Sequence, residues 1–116
     1  MSITIYHNPK CGTSRNVLQA LRDAGHEPRI VEYLKTPLSR AQLKSLIDKM
    51  GVAVGDVVRW KEPVAAELKL DKSKSSDAKL LDAMAAHPIL MNRPIVVTAR
   101  AAKLCRPSET LAELIG

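Results

Sequence analysis

Residues 3–25 read ITIYHNPKCGTSRNVLQALRDAG. The β-branched residues at the start predict a short strand over residues 2–6. The Asn-Pro pair that follows predicts a loop over residues 7–10, because a residue before proline resists helix. Apolar side chains then recur with helical spacing from about residue 12 until Gly25, which is expected to end the helix. The apolar face consists of Val17, Leu18, Leu21 and Ala24. Cys11 is therefore predicted to lie where the first helix begins.

Three further segments have strand composition, and together with the first they predict a sheet. Residues 29–34 and 94–98 predict the second and third strands, and residues 102–105 predict a fourth. A β-α-β unit takes a right-handed crossover, so the first two strands are predicted to be parallel. The last two strands are too close in sequence for a crossover and are predicted to be antiparallel. A final short helix is expected from about Pro107.

A helical block separates the second and third strands. The sequence Ser39-Arg40-Ala41-Gln42 is a capping-box pattern, in which Gln42 reaches back to the Ser39 amide. The apolar stripe of the helix that follows consists of Leu43, Leu46, Ile47 and Met50. Residues 53–69 predict short helical pieces broken at Pro63, and residues 77–86 predict another helix.

These elements predict an α/β protein of thioredoxin-like fold. The expected architecture is a mixed four-stranded sheet flanked by helices, with a helical insertion between the second and third strands. The length of 116 residues is that of one ordinary domain. We therefore expect a single domain over residues 1–116, with the helical insertion at about 39–88.

Composition excludes several classes of protein. The net charge of +6 divides into +3 for residues 1–58 and +3 for residues 59–116, so no basic arm is present. Aromatic residues make up only 3%, which leaves little surface for stacking bases, and nucleic-acid binding is not predicted. No apolar run approaches the ~18 residues of a membrane span, and no secretory signal is recognisable. We expect a cytoplasmic protein whose diffuse positive charge suits a small anionic substrate.

The cysteines and histidines do not form a metal-binding pattern. Cys11 and Cys105 are far apart, no C-x-x-C motif occurs, and the three histidines are scattered. No metal site is predicted. Cys105 has no electropositive helix start beside it and is expected to be a small buried hydrophobic residue.

Cys11 has the setting of a reactive thiol. Backbone N–H groups and the positive end of the helix dipole favour the thiolate at a helix N-terminus. Lys10 and Arg15 add positive charge, and His7 adds more when it is protonated. Ser14 occupies the place of the second cysteine of a C-x-x-C motif. A monothiol cannot resolve its own mixed disulfide, so an external thiol has to complete any redox cycle.

Three arginines are candidate anion ligands. Arg93 precedes Pro94, where a thioredoxin-like fold places its cis-proline loop beside the active cysteine, and Arg106 ends the last predicted strand. Arg59 follows a short helical stretch in an otherwise apolar segment. The guanidinium group matches a tetrahedral oxyanion with a permanent charge and a planar fork of donors.

Four separated blocks, in the same order, resemble the ArsC family of glutaredoxin-coupled arsenate reductases. The first block, residues 5–16, resembles the family's active-site loop, and residues 33–37 resemble the exit of its second strand. Residues 87–97 and 104–109 resemble its two later blocks. The resemblance covers nearly the whole chain.

The resemblance implies a role for each candidate residue. Cys11 would be the nucleophile, His7 would help to keep the thiolate charged, and Arg59, Arg93 and Arg106 would form the oxyanion site. Residues Gly12, Thr13 and Ser14 would support the loop. The implied reaction is attack of the Cys11 thiolate on arsenic(V), with loss of one oxygen as water.

The resemblance also implies partners. Glutathione would add to the arsenic adduct as a co-substrate, glutaredoxin would supply reducing equivalents, and arsenite would leave. No bound cofactor is expected. Two other functions stay open: a monothiol oxidoreductase of the same family acting on another substrate, and a regulator like the Spx branch, which binds RNA polymerase. Ser14 argues against the regulator, because that branch typically keeps a C-x-x-C switch.

Overall fold

The computed structural model describes residues 2–115. The α-helices and strands are β1 Thr4–His7, α1 Gly12–Asp23, β2 Arg29–Glu32, α2 Arg40–Met50, α3 Pro63–Glu67, α4 Asp77–Ala86, β3 Ile95–Val97, β4 Ala102–Leu104 and α5 Ala112–Ile115. Single 3₁₀ turns lie at Val54–Asp56, Pro88–Leu90 and Ser108–Leu111. No helix in this part of the chain is long and apolar enough to cross a membrane.

The sheet has the predicted mixed topology. Its strand order is β2-β1-β3-β4. β1 pairs with β2 in parallel, whereas β3 is antiparallel to both β1 and β4. The fold class predicted from the sequence, α/β and thioredoxin-like, is confirmed.

The chain forms two compact units. One consists of the residues up to Thr36 together with those from Arg93 onward, and it contains the sheet, α1 and α5. The other, Pro37–Asn92, contains α2, α3 and α4. Helices therefore do fill the connection between β2 and β3, and the single-domain assignment stays a prediction.

The first unit is built on an aliphatic core between the sheet and α1. Val17 and Leu21 on α1 have no exposed surface, as the predicted face requires. Ala24, predicted on the same face, is exposed because α1 ends at Asp23 and Gly25 takes a φ of +86° to reverse the chain. The core consists of Ile3, Ile5, Val17, Leu21, Val96, Cys105 and Leu111.

The second unit begins with the predicted capping box. Ser39 Oγ accepts a hydrogen bond from the Gln42 amide at 3.2 Å, and Gln42 Oε1 accepts one from the Ser39 amide at 2.9 Å. The predicted short helical pieces are present as the 3₁₀ turn Val54–Asp56 and α3, and the break between them ends at Pro63. Proline is tolerated in the first turn of α3 because an N–H at that position has no partner within the helix.

The ends of the first two strands also differ from prediction. His7, predicted in a loop, is the last residue of β1 and pairs with Glu32 of β2. β2 ends at Glu32 instead of residue 34. The carbonyl of Glu32 accepts hydrogen bonds from the amides of Lys35 and Thr36, both at 2.9 Å, so the chain turns there. The predicted final helix consists of a 3₁₀ turn followed by α5.

Candidate active site

Cys11 is the N-cap residue of α1, as the sequence predicted. Its backbone is extended, with φ −92° and ψ 122°, and its carbonyl accepts the first helical hydrogen bond from the Arg15 amide at 3.0 Å. The Cys11 amide turns back to the carbonyl of Asn8, also at 3.0 Å. The half-buried thiol therefore lies at the electropositive start of a three-turn helix.

Two of the predicted arginines lie at this thiol. Arg106 Nη1 is 3.5 Å from Cys11 Sγ, and the same nitrogen donates a hydrogen bond to the Arg93 carbonyl at 3.0 Å. The Arg93–Pro94 peptide bond is cis, as the fold predicts, and so is Arg106–Pro107. Arg93 is buried and Arg106 is half-buried. These two arginines surround the sulfur with positive charge.

This environment favours the thiolate. Partial burial raises the pKa of Cys11, but the Ser14 amide and the guanidinium groups of Arg106 and Arg93 outweigh it and lower the pKa to about 7. A hydrogen bond from the Ser14 amide favours the charged form of Cys11, because a thiolate is a stronger acceptor than a thiol. The Cys11 thiolate is therefore more accessible near neutral pH than that of an ordinary cysteine.

His7 contacts Ser14. Its Nδ1 lies 2.6 Å from Ser14 Oγ, and both side chains are buried. The Asn8 amide donates to the same Oγ at 3.1 Å, so the Ser14 hydroxyl hydrogen is available to the His7 ring. Burial lowers the pKa of His7 more than Glu32 raises it, which favours the neutral ring. The prediction that His7 helps to keep the Cys11 thiolate charged stays a prediction.

The other residues of the predicted loop support lie in the first turn of α1. Gly12 and Thr13 are the first two residues of the helix, and Thr13 is half-buried. A Cβ atom at Gly12 would have Arg15 Nη2, at 3.8 Å, as its nearest neighbour. The protein backbone itself leaves room for a side chain at Gly12.

Arg59 belongs to the second unit. Its Nε lies 3.2 Å from Glu62 Oε1, and its amide donates to the Leu90 carbonyl at 2.7 Å. The ion pair is about one fifth exposed on each side. The assignment of Arg59 to the oxyanion site stays a prediction.

Cys105 has the opposite environment to Cys11. It is fully buried in the core of the first unit, as predicted. Burial raises the pKa of its thiol to about 11, so the thiolate is essentially absent at neutral pH.

Asn8 was not recognised as a site residue from the sequence. It is only 4% exposed, and its Oδ1 accepts a hydrogen bond from the Lys10 amide at 3.0 Å. The signal was present, since asparagine commonly bonds the backbone two residues further on. By itself, the Asn8-Pro9 pair indicates only a loop.

The arrangement is suited to nucleophilic chemistry on an anion. A partly ionised thiol supplies the nucleophile, while helix amides and guanidinium groups supply donors for negative charge. Within residues 2–115, no group of three or more His, Cys, Asp or Glu side chains is placed to hold a metal ion.

Comparison with known proteins points to one family. A model described as the ArsC family matches residues 6–114. The arsenate reductase of Rhizobium meliloti (strain 1021) is 52% identical over 115 residues, which cover 99% of this chain and 82% of that protein. The arsenate reductase of Escherichia coli (strain K12) is 50% identical over 114 residues, covering 98% and 81%.

A solved structure shows the same relationship. The arsenate reductase from Vibrio cholerae superposes with a TM-score of 0.93 at 44% identity, and the match covers 97% of each chain. The family predicted from the sequence blocks is the one that these comparisons return.

Proposed function

This chain belongs to the ArsC family, and on that premise we propose that it reduces arsenate to arsenite through a covalent adduct on Cys11. The observation that carries the proposal is the placement of Arg106 Nη1 at 3.5 Å from Cys11 Sγ. A cation at this distance serves both reactants, because it stabilises the thiolate and attracts the oxyanion that the thiolate attacks.

The first step is substitution at arsenic. The Cys11 thiolate forms a sulfur–arsenic(V) bond, and one arsenate oxygen takes up protons and leaves as water. The guanidinium groups of Arg93 and Arg106 bind the remaining oxygens and neutralise their charge. Arg59 would be the third oxyanion ligand on the family resemblance.

The reduction needs thiols from outside the chain. Arsenic(V) accepts two electrons to become arsenic(III), and two thiols supply them by forming one disulfide. Cys105 is fully buried with a pKa of about 11, and Ser14 stands where a second active-site cysteine would lie. Glutathione and glutaredoxin are the proposed donors, with glutathione a co-substrate and no resident cofactor. This thiol supply fits a cytoplasmic protein.

A coupled assay tests the proposal. Purified protein is supplied with glutathione, glutaredoxin, glutathione reductase and NADPH, and NADPH oxidation is followed with and without arsenate. We expect arsenate-dependent oxidation and release of arsenite. Equal oxidation without arsenate that still requires this protein, or turnover of a glutathione mixed disulfide by this protein with glutaredoxin left out, would instead indicate a general monothiol oxidoreductase. Replacing glutaredoxin and glutathione reductase with thioredoxin and thioredoxin reductase identifies the reductant.

A further inference from the structure

Three hydrogen bonds of the loop between β1 and α1 converge on Asn8. Its amide donates to Ser14 Oγ at 3.1 Å, and its carbonyl accepts from the Cys11 amide at 3.0 Å. Its side-chain Oδ1 accepts from the Lys10 amide at 3.0 Å. Asn8 thus contacts the backbone of both residues that lead into α1.

Only one of these bonds depends on the identity of residue 8. Any residue except proline supplies an amide N–H and a carbonyl, whereas the acceptor for Lys10 belongs to the Asn8 side chain. The bond closes an Asx turn, and Asn8 is 96% buried, since its exposure is 4%. The carbonyl of the peptide group that contains the Lys10 amide, that of Pro9, accepts a hydrogen bond from Arg15 Nη1 at 2.9 Å.

The Lys10 amide belongs to the Pro9–Lys10 peptide group, which directly precedes the Lys10–Cys11 peptide group. Its orientation, together with the bond from the Cys11 amide to the Asn8 carbonyl, sets the direction in which the Cys11 side chain leaves the backbone. That direction decides whether the sulfur meets the Ser14 amide and the Arg106 guanidinium.

We propose that Asn8 is a positioning residue: its side-chain oxygen holds the turn that points the Cys11 sulfur at Arg106 and at the start of α1. The inference rests on the proposed function only in taking Cys11 as the reacting thiol. Asn8 acts through the backbone and does not itself take part in the chemistry.

The test measures the thiolate directly in the full chain. Asn8→Ala and the unmodified protein are alkylated with iodoacetamide, a neutral reagent, from pH 5.5 to 9.5, and peptide mass mapping separates Cys11 from Cys105. We expect Asn8→Ala to raise the apparent pKa of Cys11, so that alkylation at pH 6 slows about threefold while the limiting rate at high pH is unchanged. An unchanged pKa would overturn the inference.

Two further variants separate positioning from general loss of stability. Asn8→Ser keeps a side-chain oxygen that can close a similar turn, and it should restore part of the lost rate. Ser76→Ala is the matched control, because Ser76 Oγ also accepts a backbone hydrogen bond, from Lys79 at 3.2 Å, but at the start of α4. It should lower the melting temperature and leave the Cys11 pKa unchanged. An equal pKa rise in Ser76→Ala would contradict a local role.

A measurement on the unmodified protein is independent of whether Asn8→Ala folds. Hydrogen exchange followed by NMR should show protected amides at Lys10 and Cys11, and exchange at the rate of an unstructured peptide would reject the proposed turn. A different result would contradict the proposed function: titration of Cys11 in the unmodified protein near pH 8.5, as for an ordinary thiol.

Discussion

Arg106 and Cys11 are separated by 95 residues in sequence, yet Arg106 Nη1 lies 3.5 Å from the Cys11 sulfur. The sheet brings them together, since β1 leads into the cysteine loop and β4 leads into Arg106, with β3 paired between these two strands. The bond from the same nitrogen to the Arg93 carbonyl fixes the guanidinium at this position. Strand pairing in the sheet therefore brings the thiol and Arg106 together.

Replacing each cysteine should separate the nucleophile from the core thiol. Cys11→Ser is expected to abolish arsenate reduction, because a serine hydroxyl is not ionised near pH 7 and is a poor ligand for arsenic. Cys105→Ala should retain most of the activity and lose stability by about 1 kcal/mol, the cost of a small core truncation. The coupled assay and urea unfolding measure the two effects. The reverse pattern of activities would mean that the nucleophile has been misassigned.

Replacing the arginines by lysine should preserve charge but remove the planar fork of donors. Arg106→Lys also loses the bond to the Arg93 carbonyl, and we expect kcat/KM for arsenate to fall at least about tenfold, or ~1.4 kcal/mol. Arg93→Lys should behave similarly. Arg100→Lys is the control, because Arg100 is exposed between β3 and β4. If all three variants had the same kinetics, the oxyanion site would have to lie elsewhere.

The stability of the protein should depend on pH through Cys11. Folding lowers the pKa of Cys11 to about 7, so the unfolded chain binds the thiol proton more tightly than the folded one. The resulting stabilisation is fully present above the unfolded pKa of ~8.5 and is lost as the pH falls through about 7.

The measurement is the difference in melting temperature between the unmodified protein and Cys11→Ser, both kept reduced. The melting temperature of the unmodified protein should rise relative to that of Cys11→Ser as the pH increases from 6 to 9. Both proteins contain Cys105, so its own titration cancels in the difference. A difference that is constant with pH would show that the folded environment does not favour the thiolate.

Removing the Ser14 hydroxyl should destabilise the first unit. Ser14→Ala leaves both the His7 ring and the Asn8 amide without their buried partner, so we expect a loss of about 2–4 kcal/mol in the free energy of unfolding. Ser39→Ala is a suitable comparison, because it removes an exposed helix cap worth about 1 kcal/mol. Urea unfolding of both variants checks the ranking. Equal losses would show that the His7–Ser14 contact adds little to stability.

The sequence by itself determined the element types, the fold class and the position of the Cys11 thiol. Residues close in sequence carry these features: the period of apolar side chains, the Ser39–Gln42 capping box, and Cys11 at the first turn of α1. The sequence is less decisive where one residue has two possible local roles. Proline breaks a helix in its interior but is tolerated at its first turn, and Pro63 lies at the first turn of α3.

Only the tertiary structure decided the chemical state of the site. Whether Arg106 approaches Cys11 depends on strand pairing across the sheet, which no local pattern specifies. The charge of His7 was likewise open, because histidine ordinarily titrates near neutral pH. Burial lowers the pKa of His7 and favours the neutral ring, since the cost of removing the charged ring from water exceeds the stabilisation by the nearby Glu32 carboxylate. The local sequence therefore positions the Cys11 thiol at the start of α1, whereas burial and long-range contacts determine its ionisation.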